Sequence, residues 1–571
     1  MRIKIVRVIA LFLLISIALD LFYVQVIRGA YFHNLSANNH IRVVPLEAQR
    51  GVIRDRNGDT LVDNRLSYDV AVVPQDIRES EELFAFLAET LNEKKRDLLQ
   101  RFFQRKVAAF APVVIVYDVD KKVAMLLEEN RFRFPGLYIQ ESFRRFYPFE
   151  QAGAHVLGYV GKIDNSKVDQ LKEYGYNPES LVGYDGVEAY YDRYLQGQAG
   201  GQQIEVNNHG QQVRLLGVRE SQKGEDLELT IDGDIQRIAA KILGEQRGSI
   251  IVMDLDTGDI LGLVNSPSYN PNVFSDQKLR SQAPGILTDS SAPMLDRAVK
   301  GQYPPGSVFK AVMAMAGLDS GTISSQTTTQ CPGYYLLGEQ KFLCAHVHGV
   351  ENLVQAIAHS CNVYFYTLGR KLDADIINKY ARLFGFGERT KIDLPFEAAG
   401  LVPSKALRQS KNQGGWYTGD TLNFSIGQGD LLVTPIQLLR MMATIARSGE
   451  VVQPHLIKKI GQQEVVRLSS IKSIRIDKKY FDLVHSGLRS VVQDPEGTAG
   501  ILNMDGFEVF GKTGTAQSNS QRKHHAWFVG YDLSGKQKIA FCVFLEYGGS
   551  SYHAAMLSRY LLQEMRKEEI I

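Results

Sequence analysis

The chain opens with a predominantly apolar run from Val8 to Ile27, preceded by Arg2, Lys4 and Arg7. At about 1.5 Å per residue, a helix of that length crosses one bilayer core. The basic flank and the long polar remainder predict a cytoplasmic tail over residues 1–7 and an uncleaved anchor over 8–27. Everything from Arg28 onward would then lie outside the inner (cytoplasmic) membrane, in the periplasm. A cleaved signal peptide is the rival, but Asp20, Leu21, Phe22 and Tyr23 stand where small residues would mark a cleavage site. Asp20 is costly within a span unless it snorkels to the interface or meets a second membrane protein.

Past the anchor the periodicity shortens. "AQRGVIRDRNGDTLVDN", from Ala48, alternates apolar and polar residues and breaks at Asn57-Gly58, which predicts a β-hairpin. Helical periodicity with many charges from about Glu79 to Asn130 predicts a small α/β insert. Gly-rich hairpins around a short helix follow in "GAHVLGYVGKI" and "GYDGVEAYYDRYLQGQAGGQQIEVNNHGQQVR". Residues 28–223 are therefore expected to form an elongated, β-rich, non-catalytic pedestal with a head insert at about 66–140. At "DLELTIDGDIQRIAAKIL" the texture changes to a strand, an Asp cap and an amphipathic helix. A second domain over 224–571 is expected, with strands at both ends flanking a helical middle. That pattern predicts an α+β unit whose two ends build one mixed sheet.

Composition agrees with several domains, since 571 residues with 44% hydrophobic content exceed one compact core. Lys plus Arg (65) nearly cancels Asp plus Glu (63), and the basic residues are dispersed, which argues against a nucleic-acid partner.

The candidate chemistry begins at "YPPGSVFK". Ser307 and Lys310 are three apart, so on a helix they share a face. The apolar stretch that follows predicts a buried helix, and burial lowers a lysine pKa until its amine can take a serine proton. Pro304, Pro305 and Gly306 would set Ser307 at a helix N-terminus, whose free N–H groups favour an oxyanion. S-x-x-K alone is a weak signal. "HSCNVYFY" adds Ser360 and Asn362, however, and "VFGKTGTA" adds Lys512, Thr513 and Gly514 on a strand. S-x-x-K, S-x-N and K-T-G in this order mark the penicillin-binding proteins and class A β-lactamases. Ser360 can relay a proton to a leaving amine and Asn362 can hold an amide. Lys512 offers charge to a carboxylate, and Gly514 lets a peptide lie against the strand edge. Trp416, with Tyr417 and Thr421, is a candidate for the wall of the substrate groove, packing in a core being the alternative. His359, His524 and His525 are read as bystanders.

The chain resembles the penicillin-binding transpeptidases over nearly its whole length. "RGVIRDRNGDTL" is similar to the first box of the class B, single-span members, "GVEAYYDRYLQGQAG" to their pedestal box, and "GDTLNFSIGQGDLLVTPIQL" to the segment between S-x-N and K-T-G. "IEVNNHGQQVR" and the paired prolines resemble the branch that works in elongation of rod-shaped bacteria. The resemblance implies that Ser307 is acylated by the D-Ala-D-Ala end of a stem peptide, with Lys310 its base. Ser360 and Asn362 would form the second motif and Lys512, Thr513 and Gly514 the third. The N–H groups of Ser307 and Thr515 would make the oxyanion hole. An amine from a neighbouring stem on a lipid II-derived strand would resolve the acyl-enzyme without any catalytic cofactor, and β-lactams would acylate the same serine. The E-D-x-x-F glycosyltransferase box of bifunctional relatives does not occur between Arg28 and Lys223. Strand synthesis is then expected from a SEDS glycosyltransferase (RodA-like), and an MreC-type scaffold is expected to contact the pedestal. The rival readings are a division transpeptidase working with FtsW and, of another class, a β-lactam sensor or inert scaffold.

Cys331, Cys344, His348 and Cys361 form C-x12-C-x3-H-x12-C, the ligand types of a closed zinc site. His346 is an alternative to His348. A Cys331 to Cys344 disulfide with Cys361 as apolar filler is the competing expectation for an exported domain. Cys542, within "IAFCVFLE", reads as core.

Overall fold

The computed structural model describes residues 2–29, 31, 41–46, 48–106, 108–109, 111–164, 176, 180–206, 212–410, 414–467, 470–517 and 524–571. The helix Arg2–Phe22 continues as a wider turn over Tyr23–Ile27. Within it the segment Arg7–Ile27 holds an 18-residue stretch of mean hydropathy 2.3 with no buried residue. By length and composition this helix can cross a membrane.

Among the described residues the pedestal has the short antiparallel pair Val160–Lys162 with Leu181–Gly183 and two larger sheets. Ile41–Leu46, Gly200–Val206 and Gln212–Arg219 make a small antiparallel one; residues 207–211, part of the "IEVNNHGQQVR" signal, lie outside the described residues. The second sheet centres on the hairpin of Ile53–Arg54 with Thr60–Val72. Asp55 sets that hairpin, because its Oδ1 accepts the N–H groups of Asn57 and Asp59 at 2.9 and 2.8 Å. The long strand Thr60–Val72 pairs with Leu137–Phe146 and, at its far end, with Val113–Val119. There the helices Ser80–Leu91, Lys95–Arg105 and Lys121–Glu129 close a separate apolar core around Phe84, Leu87, Phe102 and Leu127. This is the expected head.

The two pedestal boxes meet through buried charge. Glu188 is fully buried and accepts Arg50 Nε at 2.7 Å and Arg145 Nε at 2.6 Å, while Arg50 also reaches Asp192 at 2.6 Å. Two guanidinium groups on one carboxylate offset its desolvation, which a single ion pair rarely achieves.

The catalytic region is organised by one five-stranded sheet in the order Ile260–Ser266, Gly248–Asp254, Ile539–Leu545, His525–Asp532, Val509–Ala516. Every pairing is antiparallel, so the sheet joins both ends of the domain as expected but mixes termini rather than strand directions. Its middle strand, IAFCVFL, is buried at every position, with Cys542 in the core. That accounts for its unbroken apolar run. Helices Gly233–Leu243 and Ser551–Lys567 pack on the sheet, as does Pro435–Ala446, which leads to the helical middle.

The junction is less simple than a boundary at Gly224. Leu227–Leu229 pairs in parallel with Ile53–Arg54 and antiparallel with Ile457–Ile460, so segments from beyond that residue complete the pedestal sheet. Asp55 Oδ2 also accepts the N–H of Gly233 at 3.0 Å. A three-residue strand is too short for its periodicity to reveal its partner.

Candidate active site

The turn Gly306–Phe309 leads into the helix Lys310–Asp319, which is buried from Lys310 to Leu318. Gly306 has φ +55°, and a Cβ there would lie 2.7 Å from the Thr515 carbonyl oxygen. Glycine is therefore required on both conformational and steric grounds. Trp527 Nε1 donates to the Pro304 carbonyl at 3.2 Å and fastens the paired prolines to the strand His525–Asp532. Ser307 is carried in the first turn, as its sequence context predicts.

Lys310 is fully buried, and its Nζ donates to Ser360 O at 2.7 Å, Ser360 Oγ at 3.2 Å and Asn362 Oδ1 at 2.7 Å. Burial pulls its pKa down to about 8, although Cys344 and Cys361 oppose the shift. The second motif is a tight corner between the helices Leu353–Ala358 and Asn362–Leu383. Ser360 sits there at φ +57°, a strained conformation for serine that turns it toward Lys310. His359 instead turns to Glu351, its Nδ1 lying 2.9 Å from Oε1. Burial lowers the His359 pKa, but hydrogen bonding and charge from Glu351 outweigh it and the net shift is upward.

The third motif lies on the edge strand Val509–Ala516. Lys512 is fully buried, and its nearest acceptors are Thr513 O and Oγ1, both at 3.4 Å. Burial and then the Lys310 charge press its pKa well below the usual lysine range. A Cβ on Gly514 would stand 2.9 Å from the Pro305 carbonyl, so this strand and the Ser307 turn pack backbone to backbone. Thr515 is exposed at the open edge, and Gln428 Nε2 donates to its carbonyl at 3.4 Å. Trp416 donates from Nε1 to Thr421 Oγ1 at 2.8 Å and carries Arg408 over its ring. It lines a small cavity with Asn423, Phe424 and Gln428. Tyr417 is 71% exposed.

Cys331 Sγ, Cys344 Sγ, Cys361 Sγ and one ring nitrogen of His348 all lie within 4.8 Å of one another. The four cysteines are free thiols, and His348 rather than His346 faces the cluster, with Nδ1 3.5 Å from both Cys331 and Cys344. Cys344 is pulled down to about 4, chiefly by the thiol of Cys361, which is pushed up in turn. Three cysteine sulfurs and an imidazole are a donor set chemically suited to a soft divalent ion.

The structure thus brings the three motifs and the cysteine cluster into one region. Sequence reasoning missed Thr498, whose Oγ1 is 2.7 Å from Thr513 Oγ1, and the Leu343 carbonyl, which accepts Asn362 Nδ2 at 3.1 Å. A lone threonine and a backbone carbonyl carry no chemical signature. The glycines around Gln428 were the available hint of a close approach there.

Residues 248–561 match the penicillin binding protein transpeptidase domain, and residues 45–229 match the penicillin-binding protein dimerisation domain. The peptidoglycan D,D-transpeptidase MrdA of Acinetobacter baumannii is 32% identical over 559 residues, covering 94% of this chain and 83% of that protein. The penicillin-binding protein PBP2 of Helicobacter pylori, solved in complex with MreC, superposes with a TM-score of 0.81 at 28% identity, covering 93% of this chain and 99% of that one. A chain from a peptidoglycan synthase complex that coordinates polymerization and crosslinking superposes at 0.74 with 31% identity, covering 98% of this chain and 97% of that one. With S-x-x-K, S-x-N and K-T-G converging beside one strand edge, this chain belongs to the penicillin-binding transpeptidases of the MrdA (PBP2) type, the peptidoglycan D,D-transpeptidases of cell elongation.

Proposed function

We propose that Ser307 is the acylated nucleophile, and that the contact set of Lys310 carries this assignment. One buried amine, a turn beyond Ser307, touches both polar residues of the second motif. The neutral amine of Lys310 takes the Ser307 proton as Oγ attacks the carbonyl carbon between the two D-alanines. The oxyanion is stabilised by the N–H groups of Ser307 and Thr515. Lys512 and the Thr513 hydroxyl hold the terminal carboxylate, Asn362 holds an amide of the stem, and Gly514 admits its backbone to the strand edge. Trp416 contributes to the groove wall. Ser360 passes the proton to the departing D-Ala nitrogen. An acceptor amine then attacks the ester, gives up its proton by the same route and regenerates Ser307. Fluorescent-penicillin labelling of the full chain tests the assignment: wild type is labelled, and Ser307→Ala is not. Equal labelling of both removes Ser307 from the mechanism.

The reaction needs no cofactor. Zinc is the proposed structural ion, supported by the convergence of Cys331, Cys344, His348 and Cys361, which would be its ligands. When bound, it would fasten the 331–348 segment to the second motif.

The apolar helix supports a single-span anchor in the inner membrane, and the basic residues Arg2, Lys4 and Arg7 support a cytoplasmic N-terminus with a periplasmic catalytic domain. Domain limits of 28–223 and 224–571 remain our reading, with the strand Leu227–Leu229 shared across them. Because relatives were solved with MreC and within a polymerizing and crosslinking complex, an MreC-type scaffold and a SEDS glycosyltransferase are the proposed partners. β-Lactams are the proposed inhibitors.

A further inference from the structure

Thr498 is half-buried in the turn after the helix Lys478–Gln493 and touches two of the three motif segments. Its N–H donates to the Ala358 carbonyl at 3.3 Å, two residues before Ser360. Its Oγ1 lies 2.7 Å from Thr513 Oγ1. The turn is held firmly. The N–H of Ala499 donates to the Val491 carbonyl at 2.9 Å, and a Cβ on Gly497 would come within 2.6 Å of the Ser490 and Val491 carbonyl oxygens.

Which hydroxyl of the pair donates depends on what else is present. Thr513 Oγ1 already faces Lys512 Nζ at 3.4 Å, which in the ammonium form that meets a carboxylate can only donate to it. Without an anion, the Thr513 hydroxyl can spend its proton on Thr498. A carboxylate arriving at Lys512 has no proton of its own and demands that one. Thr498 must then become the donor, giving the chain Thr498 O–H to Thr513 O–H to carboxylate, in which each bond polarises the next. The Thr498 hydroxyl has no other hydrogen-bond partner among the described residues, so nothing opposes the reversal.

We infer that Thr498 is a positioning residue for carboxylate recognition, orienting the Thr513 hydroxyl toward the substrate's terminal carboxylate while anchoring that strand to the second motif. The inference rests on the proposed role of Lys512 and Thr513.

The test compares acylation of the full-length chain by benzylpenicillin and by its methyl ester, which lacks the anionic carboxylate, in wild type, Thr498→Val and Thr498→Ser. Valine keeps the shape but places a methyl group against Thr513 Oγ1. Thr498→Val is expected to slow acylation by the free acid roughly tenfold, as for loss of support to a charge-assisted hydrogen bond. The ester should react at nearly the wild-type rate, and Thr498→Ser should keep the wild-type preference for the acid. An equal loss on acid and ester would make Thr498 a packing residue and overturn the inference, as would an unchanged acid rate. A wild type that does not distinguish acid from ester would refute the carboxylate role of Lys512 and Thr513 itself. Should the valine variant not fold, Thr498→Ala replaces it under the same two criteria.

Discussion

The backbone N–H of Asn362 donates to Cys344 Sγ at 3.1 Å, so a candidate metal ligand is hydrogen-bonded to the second catalytic motif. The Leu343 carbonyl accepts the Asn362 side-chain amide at 3.1 Å, and the same side chain receives Lys310 on its other end. The cysteine cluster and the second motif therefore meet at Asn362. Native mass spectrometry of the wild-type chain is expected to show one zinc ion, the ion proposed for this cluster, and Cys344→Ala is expected to lose it, lower the melting temperature and slow acylation by roughly tenfold or more. Retained zinc with full labelling would separate the cluster from the site.

The acylation rate should rise with pH through about 8, the value to which burial brings Lys310. The sign follows from the charge: burial disfavours the ammonium, so below that pH the amine is occupied and cannot accept the Ser307 proton. The rate then falls about tenfold per pH unit. Stopped-flow acylation from pH 6 to 9.5 measures this. Lys310→Ala should lose on the order of a thousandfold and most of its pH dependence, and a flat wild-type profile would assign the base elsewhere.

Glu188 stands between Arg50 and Arg145 at the meeting of the two pedestal boxes. Burial alone would raise its pKa, but the two arginines outweigh that and hold it below the ordinary range. Its contribution is present above the unfolded pKa and is lost as pH falls through the folded one. Glu188→Gln leaves two buried guanidinium groups undercompensated and should destabilise the pedestal by about 3–5 kcal/mol. Thermal melts of wild type and variant at pH 7 and pH 4 give the comparison: the gap between them should shrink in acid.

Much of this was legible because the chemistry demands particular residue types at particular spacings. Ser307, Lys310, Ser360, Asn362 and Lys512 stand in three short motifs, and the structure brings those motifs together. The buried strand IAFCVFL was equally plain, since a strand covered on both faces has no polar position to spare. The sharing of Leu227–Leu229 between sheets was not, because strand partnership is decided by residues far away in sequence, here Ile53 and Ile457. Thr498 escaped for the same reason: 15 positions separate it from Thr513, and only the fold of the turn after Gln493 brings the two hydroxyls together.

A close joint in the site lies between Gly306 and the strand of the third motif. Gly306 combines a left-handed backbone with a gap too narrow for a methyl group, 2.7 Å from the Thr515 carbonyl oxygen to the position a Cβ would occupy. Backbone atoms oppose the change on the Thr515 side, so relief must come from separating the Ser307 turn from the strand. Gly306→Ala should therefore displace Ser307 relative to Lys512 and the Thr515 N–H. A shift on the order of 1 Å costs about a hundredfold in rate when reacting groups must be aligned. The five-stranded sheet does not depend on this contact, so the variant should remain folded by circular dichroism while penicillin labelling slows by about two orders of magnitude. Labelling at the wild-type rate would mean that the turn and the strand can part without disturbing the nucleophile, and that the oxyanion site does not depend on their separation.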